Sequence, residues 1–209
     1  LPGTDPVVTG HDAGVITLNI AEADDDERVR LRVALHEPYR TLLGHLRHES
    51  GHYYWDQLIG AGPWLAGFCD VFGDHEQDYA AALDQHYAQG ADGPDWQQNH
   101  VSAYAAAHPW EDWAETWAHY LHMVDLLETA AAYNTRVVVP GDSPDEAEEV
   151  GSPFAGETDF DQLVTQWVPV TLLLNSLNRS LGQNDAYPFA LTPGALRKLR
   201  FVHDVIHVQ

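Results

Sequence analysis

Apolar positions recur along most of the chain with the three-and-four spacing of helices that bury one face. From Tyr39 to Ile59 they fall at Leu42, Leu43, Leu46, Tyr53 and Leu58, and predict one long helix. A second long helix is predicted from Pro109, a residue suited to a first helical turn, through Trp113, Trp117, Leu121 and Val124 to about Ala132. Asp159 to Leu181 reads as a third, with Pro169 as a candidate kink. Thr192 and Pro193 read as an N-cap and first helical residue, opening a last helix to about Ile206. Shorter helices are predicted over Asp24 to about Leu35, before Pro38, and over Pro63 to Val71 and Glu76 to Ala88. The period changes at Val15 to Ile20, a β-branched run after the turn-like His11 to Gly14, which predicts a strand. Arg136 to Val139 is a second short strand candidate. Gly90 to Pro94 is expected to be a loop, and Pro140 to Thr158, rich in proline, glycine and acids, a mobile surface loop. The expected fold is mostly α (α+β), a single domain over residues 1–209 with a small strand element.

Charge narrows the function classes. With 32 acidic against 10 basic residues and a formal charge of −22, the surface repels nucleic-acid phosphates and anionic membranes. No nucleic-acid or membrane partner is expected. Hydrophobic residues make up 44%, enough for a real core, but no apolar run reaches the roughly 18 residues of a membrane span. The first six residues have neither a basic nor an apolar region of a signal peptide, so the expected location is cytoplasmic. Cys69 is the single cysteine, so no intrachain disulfide and no CxxC zinc ribbon lies within the chain; it reads as a small hydrophobe.

The chemistry concentrates in Arg47-His48-Glu49-Ser50-Gly51-His52-Tyr53, which contains H-E-x-x-H. Residues four apart share a helix face, so the imidazoles of His48 and His52 can reach one metal ion. Glu49, beside the first of them, is placed to take a proton from an attacking water. A shuffled chain of this composition would show the pattern on the order of 0.05 times. Glycine inside a helix costs about 1 kcal/mol relative to alanine, so Gly51 points to a close neighbour. A catalytic zinc wants a third protein ligand and one open position. Glu111 and Glu115 share a face of the second long helix, between tryptophans, and either carboxylate is a candidate. Two His and one carboxylate favour zinc over calcium or magnesium, about one ion per chain.

The block Val101-Ser102-Ala103-Tyr104-Ala105, followed by Pro109-Trp110-Glu111-Asp112-Trp113-Ala114-Glu115 and lying downstream of the H-E-x-x-H segment, resembles the gluzincin metallopeptidases. Its spacing is similar to that of the anthrax lethal factor catalytic domain. Over most of its length the chain resembles a bacterial family of zinc-binding metallopeptidases, the likeness extending to Gly10 to Ile20, Glu37 to Arg40, and Asn175 to Ser180 through Phe201 to Asp204. The resemblance implies a zincin-like domain with His48, His52 and Glu111 as zinc ligands and Glu49 as general base. It further implies Tyr104 as hydrogen-bond donor to the oxyanion and Glu115 as an acceptor that fixes a ligand imidazole. Asp56, one turn after His52, is a further candidate for that last role. The implied activity is endopeptidase hydrolysis of a peptide or protein substrate, and by analogy with the class Val15 to Ile20 is the strand expected to pair with it as an edge strand.

Two other readings compete. A di-iron carboxylate bundle needs two E-x-x-H motifs; Glu49 to His52 is one, but Glu115 and His119 are four apart. A metal-binding interaction protein without catalysis would have no need of Glu49 and Tyr104. His45 reads as structural, and His203 with His207 as a lesser candidate for a second metal.

Overall fold

The computed structural model describes residues 9–24, 26, 28–30, 41–60, 62–89, 96–139, 141–143, 145, 147–154 and 159–207. The described chain is mostly helical, with two small antiparallel strand pairs. Its contacts divide into two compact units, Leu1–His119 with Ala190–Gln209, and Tyr120–Phe189. Among the described residues no helix is long and apolar enough to cross a membrane.

The first unit opens with a hairpin. Strand β1 (Gly10–Asp12) pairs with β2 (Val15–Thr17), Gly10 opposite Thr17. Ala13 and Gly14 turn with φ of 46° and 84°, the positive pair that matches strand twist in a two-residue hairpin. The strand expected over Val15 to Ile20 is therefore shorter. Asn19 accepts a hydrogen bond from Ala21 N and caps a 3₁₀ turn at Ile20–Ala23, and His11 and Asp12 of the expected turn belong to strand β1. Of the helix expected over Asp24 to about Leu35, Asp24 is extended and Asp26 and residues 28–30 are helical; its remaining residues, Pro38, the segment Glu37 to Arg40 and the loop from Gly90 to Pro94 lie outside the described residues.

Helix α1 (Leu42–Leu58) starts at Thr41, whose hydroxyl accepts from Gly44 N at 2.9 Å. Helices α2 (Leu65–Phe72) and α3 (Tyr79–Gln89) follow, then 3₁₀ turns at Trp96–Gln98 and Tyr104–Ala106 and helix α4 (Pro109–Ala132), whose residues to His119 belong to this unit. The last helix of the chain, α6 (Pro193–His207), returns to it. Phe68, Trp113, Leu199 and Val202 are fully buried where α2, α4 and α6 meet. Phe68 stacks on Phe72 at 4.9 Å, and Phe72 meets Phe201 edge-on at 5.8 Å. Each such side chain contributes about 1.5–3 kcal/mol through burial.

The second unit carries the rest of α4, strands β3 (Arg136–Val137) and β4 (Glu148–Glu149), and α5 (Phe160–Ser180), capped by Asp159 and containing Pro169. Leu163, Trp167 and Val170 supply its buried face. Asn175 clamps Tyr187 by donating to its carbonyl and accepting from its N–H. Glu148–Glu149 corrects the expectation of loop throughout Pro140 to Thr158. Backbone pairing is indifferent to side-chain charge at an exposed edge, and Arg136 donates to Ala147 O at 2.9 Å beside the acids.

Candidate metal centre

In α1 the i, i+4 spacing brings His48 Nε2 and His52 Nε2 to 3.1 Å of each other. The first turn of α4 adds Glu111, whose Oε2 lies 3.0 Å from His48 Nε2 and 3.5 Å from His52 Nε2. Zinc–nitrogen bonds of 2.0–2.1 Å at tetrahedral angles put neighbouring donors about 3.3 Å apart, so these separations suit one ion. Glu111 is 1% exposed, and its Oε2 has no hydrogen-bond partner among the described residues. A buried carboxylate oxygen left that way is costly, and a shared cation removes the cost. Two imidazoles and a carboxylate are also zinc's customary donors. Among the described residues, His48, His52 and Glu111 are the one group of three His, Cys, Asp or Glu that could hold a metal ion.

The two helices come this close because residue 51 is glycine. A Cβ there would sit 2.9 Å from Ala114 Cα and 3.2 Å from Trp117 Cβ. Trp113 Nε1 donates to Gly51 O at 2.8 Å, and Trp117 Nε1 to Ser50 Oγ at 3.2 Å, locking α1 to α4.

Around the donors each group is held. Glu115 Oε1 lies 2.7 Å from His48 Nδ1, and its Oε2 accepts from Ser102 Oγ at 2.6 Å. Burial pushes the Glu115 carboxyl up, but the bonds from His48 and Ser102 outweigh it and hold it at about 2. Glu111 is held well below the carboxylate range because His48 and His52 outweigh its burial. Burial lowers His48, yet the two carboxylates win and raise it well above the ordinary histidine value. His52, where burial dominates, is lowered and stays neutral. In the metal-free protein a proton on His48 thus supplies the positive charge that a divalent ion would bring, and metal binding would release it. The Trp110 ring lies against the His52 ring, tilted by 35° at a centroid distance of 3.8 Å.

Glu49 is buried next to His48, and burial foremost raises its carboxyl. Tyr104 sits in its 3₁₀ turn with its ring 6.0 Å from that of His48, and burial raises its hydroxyl so that it remains a donor. Asp56 is not brought to the site. It is exposed on α1, and the buried His52 Nδ1 has no partner among the described residues. The i+4 step from His52 carries Asp56 along the helix to a solvent-facing position. His45 instead pairs with Glu22 at 3.2 Å. The His203 and His207 rings lie 4.3 Å apart, with no third metal-ligating group beside them among the described residues.

Three neighbours escaped the reading of the sequence. Tyr79, from α3, donates to Glu111 Oε1 at 2.5 Å. Ser102 holds Glu115. Lys198, the chain's only lysine, is buried in α6 with Nζ 2.5 Å from Asp112 Oδ2, directly behind Glu111 in sequence. A buried lone lysine had a faint signal in its position on the apolar face of an amphipathic helix; Tyr79 had none.

Comparison with known proteins agrees with this site. A family model described as "Putative zinc-binding metallo-peptidase" matches residues 2–205. Proteins described as uncharacterized from Mycobacterium bovis and Mycobacterium tuberculosis are each 48% identical over 201 residues, covering 96% of this chain and 56% of their own length. The chain therefore spans about half the length of these relatives. No solved structure matches it significantly.

Proposed function

We propose that this chain, which belongs to the family described as "Putative zinc-binding metallo-peptidase", is a zinc-dependent endopeptidase of the gluzincin type. The observation that carries the reading is the convergence of His48 Nε2, His52 Nε2 and the buried Glu111 Oε2 within 3.0–3.5 Å of one another. These three residues would hold the zinc, about one per chain. When bound, zinc supplies Lewis acidity and lowers the pKa of a coordinated water to about 7.

The chain's own groups then divide the remaining work. Glu49 takes the proton of the attacking water and passes it to the leaving amine, a role suited to a carboxyl raised by burial. Tyr104, kept protonated, donates a hydrogen bond to the oxyanion of the tetrahedral state. Glu115, steadied by Ser102, accepts from His48 Nδ1 and turns Nε2 toward the metal. The substrate is a peptide or protein, and the charge of −22 disfavours nucleic acid.

The test compares zinc-loaded protein with its Glu49→Gln variant across a peptide library. Glu49 is not a ligand, so the variant should keep its zinc while hydrolysis falls at least about 10²-fold. Equal turnover by both proteins, or a wild-type protein that takes up no zinc, would refute the reading.

A further inference from the structure

We propose that Tyr79 is a positioning residue that keeps Glu111 a one-oxygen metal ligand, so that the metal retains an open position for substrate. The inference rests on the assignment of His48, His52 and Glu111 as the metal site and adds a residue from a third helix to it.

The geometry around Tyr79 is specific. It is the first residue of α3, whose start is fixed by Asp78 Oδ1 accepting from Ala81 N at 3.0 Å. Its ring stands edge-on to His108 at 5.2 Å and to Trp110 at 5.7 Å, the same Trp110 whose ring lies tilted against His52. His108 is buried and bridges the two chain segments. Its Nδ1 accepts from Trp110 N at 3.1 Å, and its Nε2 lies 3.3 Å from Gln77 O. The segment two residues before Tyr79 is thereby tied to the residue before Glu111. This leaves Tyr79 Oη and Glu111 Oε1 facing each other at 2.5 Å.

The consequence follows from carboxylate chemistry. A carboxylate with both oxygens free can chelate one ion through the pair, which raises the coordination number and fills the position a catalytic zinc leaves open. Here Oε1 is engaged by the Tyr79 hydroxyl while Oε2 lies 3.0 Å and 3.5 Å from the two imidazole nitrogens. The hydroxyl is the donor in this bond and the carboxylate oxygen the acceptor. Tyr79 is 37% exposed.

The experiment uses the full chain with Tyr79→Phe, which keeps the ring and removes the hydroxyl, and the unaltered chain as the comparison. Zinc affinity is measured by chelator competition, and coordination by the visible absorption of the cobalt-substituted protein. Tyr79→Phe should lose about 10- to 100-fold in zinc affinity. Its cobalt bands should weaken as the ion moves from four-coordinate toward higher coordination, with unfolding of the metal-free protein little changed. A folded Tyr79→Phe with wild-type affinity and spectrum would overturn the proposal. If that variant does not fold, zinc X-ray absorption of the wild-type protein decides: four-coordinate zinc with one Glu111 oxygen supports the proposal, and two Glu111 oxygens overturn it. A wild-type chain that binds no zinc would instead remove the site assignment itself, and the inference with it.

Discussion

Substituting alanine for Gly51 sets two effects of known sign against each other. Alanine is the better helix former, and in a helix interior the exchange alone would stabilise by about 1 kcal/mol. The added Cβ, however, would stand 2.9 Å from Ala114 Cα, 3.2 Å from Trp117 Cβ and 3.3 Å from Ala114 O. Two of these are backbone atoms and the third is a Cβ, so no side-chain rotation clears the way. Reaching ordinary contact requires α1 and α4 to separate by roughly 0.5–1 Å, and overpacking of this kind costs about 1–3 kcal/mol. The separation also stretches the bond from Trp113 Nε1 to Gly51 O. The expected balance is a net loss of about 1–2 kcal/mol, or about 2–8 °C in Tm for a chain of this size. The effect on metal should be larger in proportion. His52 is the next residue, Glu111 lies one turn before Ala114, and a metal site tolerates only about 0.2 Å in its ligand distances. Zinc affinity of Gly51→Ala should fall at least about 10-fold, on the scale of losing one supporting group. Thermal unfolding of the metal-free protein and chelator competition for zinc measure the two effects. A variant with a raised Tm and unchanged zinc affinity would mean that helix propensity decides at residue 51, and that the close approach of α1 and α4 does not hold the ligands.

Glu111→Ala should abolish tight zinc binding, whereas Glu115→Ala should weaken it about 10- to 100-fold, because Glu115 meets the metal only through His48. Isothermal titration separates the two, and equal losses would erase the distinction between ligand and support. Lys198→Met should destabilise the protein by about 3–5 kcal/mol in urea unfolding, because it strands the Asp112 carboxylate in the interior. Adding Asp112→Asn should recover much of that, and a single-variant loss below about 1 kcal/mol would show that the pair is not buried as described.

The helices were legible because each buries an apolar stripe whose period shows in the sequence. Pro109 to Ala132 is predicted and observed with the same bounds, and α5 and α6 agree within a residue of theirs. The hairpin was less so, since its two strands hold three residues each and are set by the Ala13–Gly14 turn rather than by a long alternating run. Glu148–Glu149 was illegible for a related reason: its partner across the sheet, not its composition, makes it a strand. At the site, the spacing of His48 and His52 follows from helix geometry alone, and Gly51 already signalled a close neighbour. Between Glu111 and Glu115 the residues themselves left a choice, since both share one face; only the packing of α1 against α4 puts the first beside both imidazole Nε2 atoms and the second on His48 Nδ1. Asp56 had the right spacing from His52 and ended in solvent. Tyr79 and Lys198 reach their carboxylates across 32 and 86 residues of chain. Local periodicity carries contacts within one helix, where backbone hydrogen bonds dictate the spacing. Contacts between helices depend on which faces meet, and that is settled by the burial of the core as a whole.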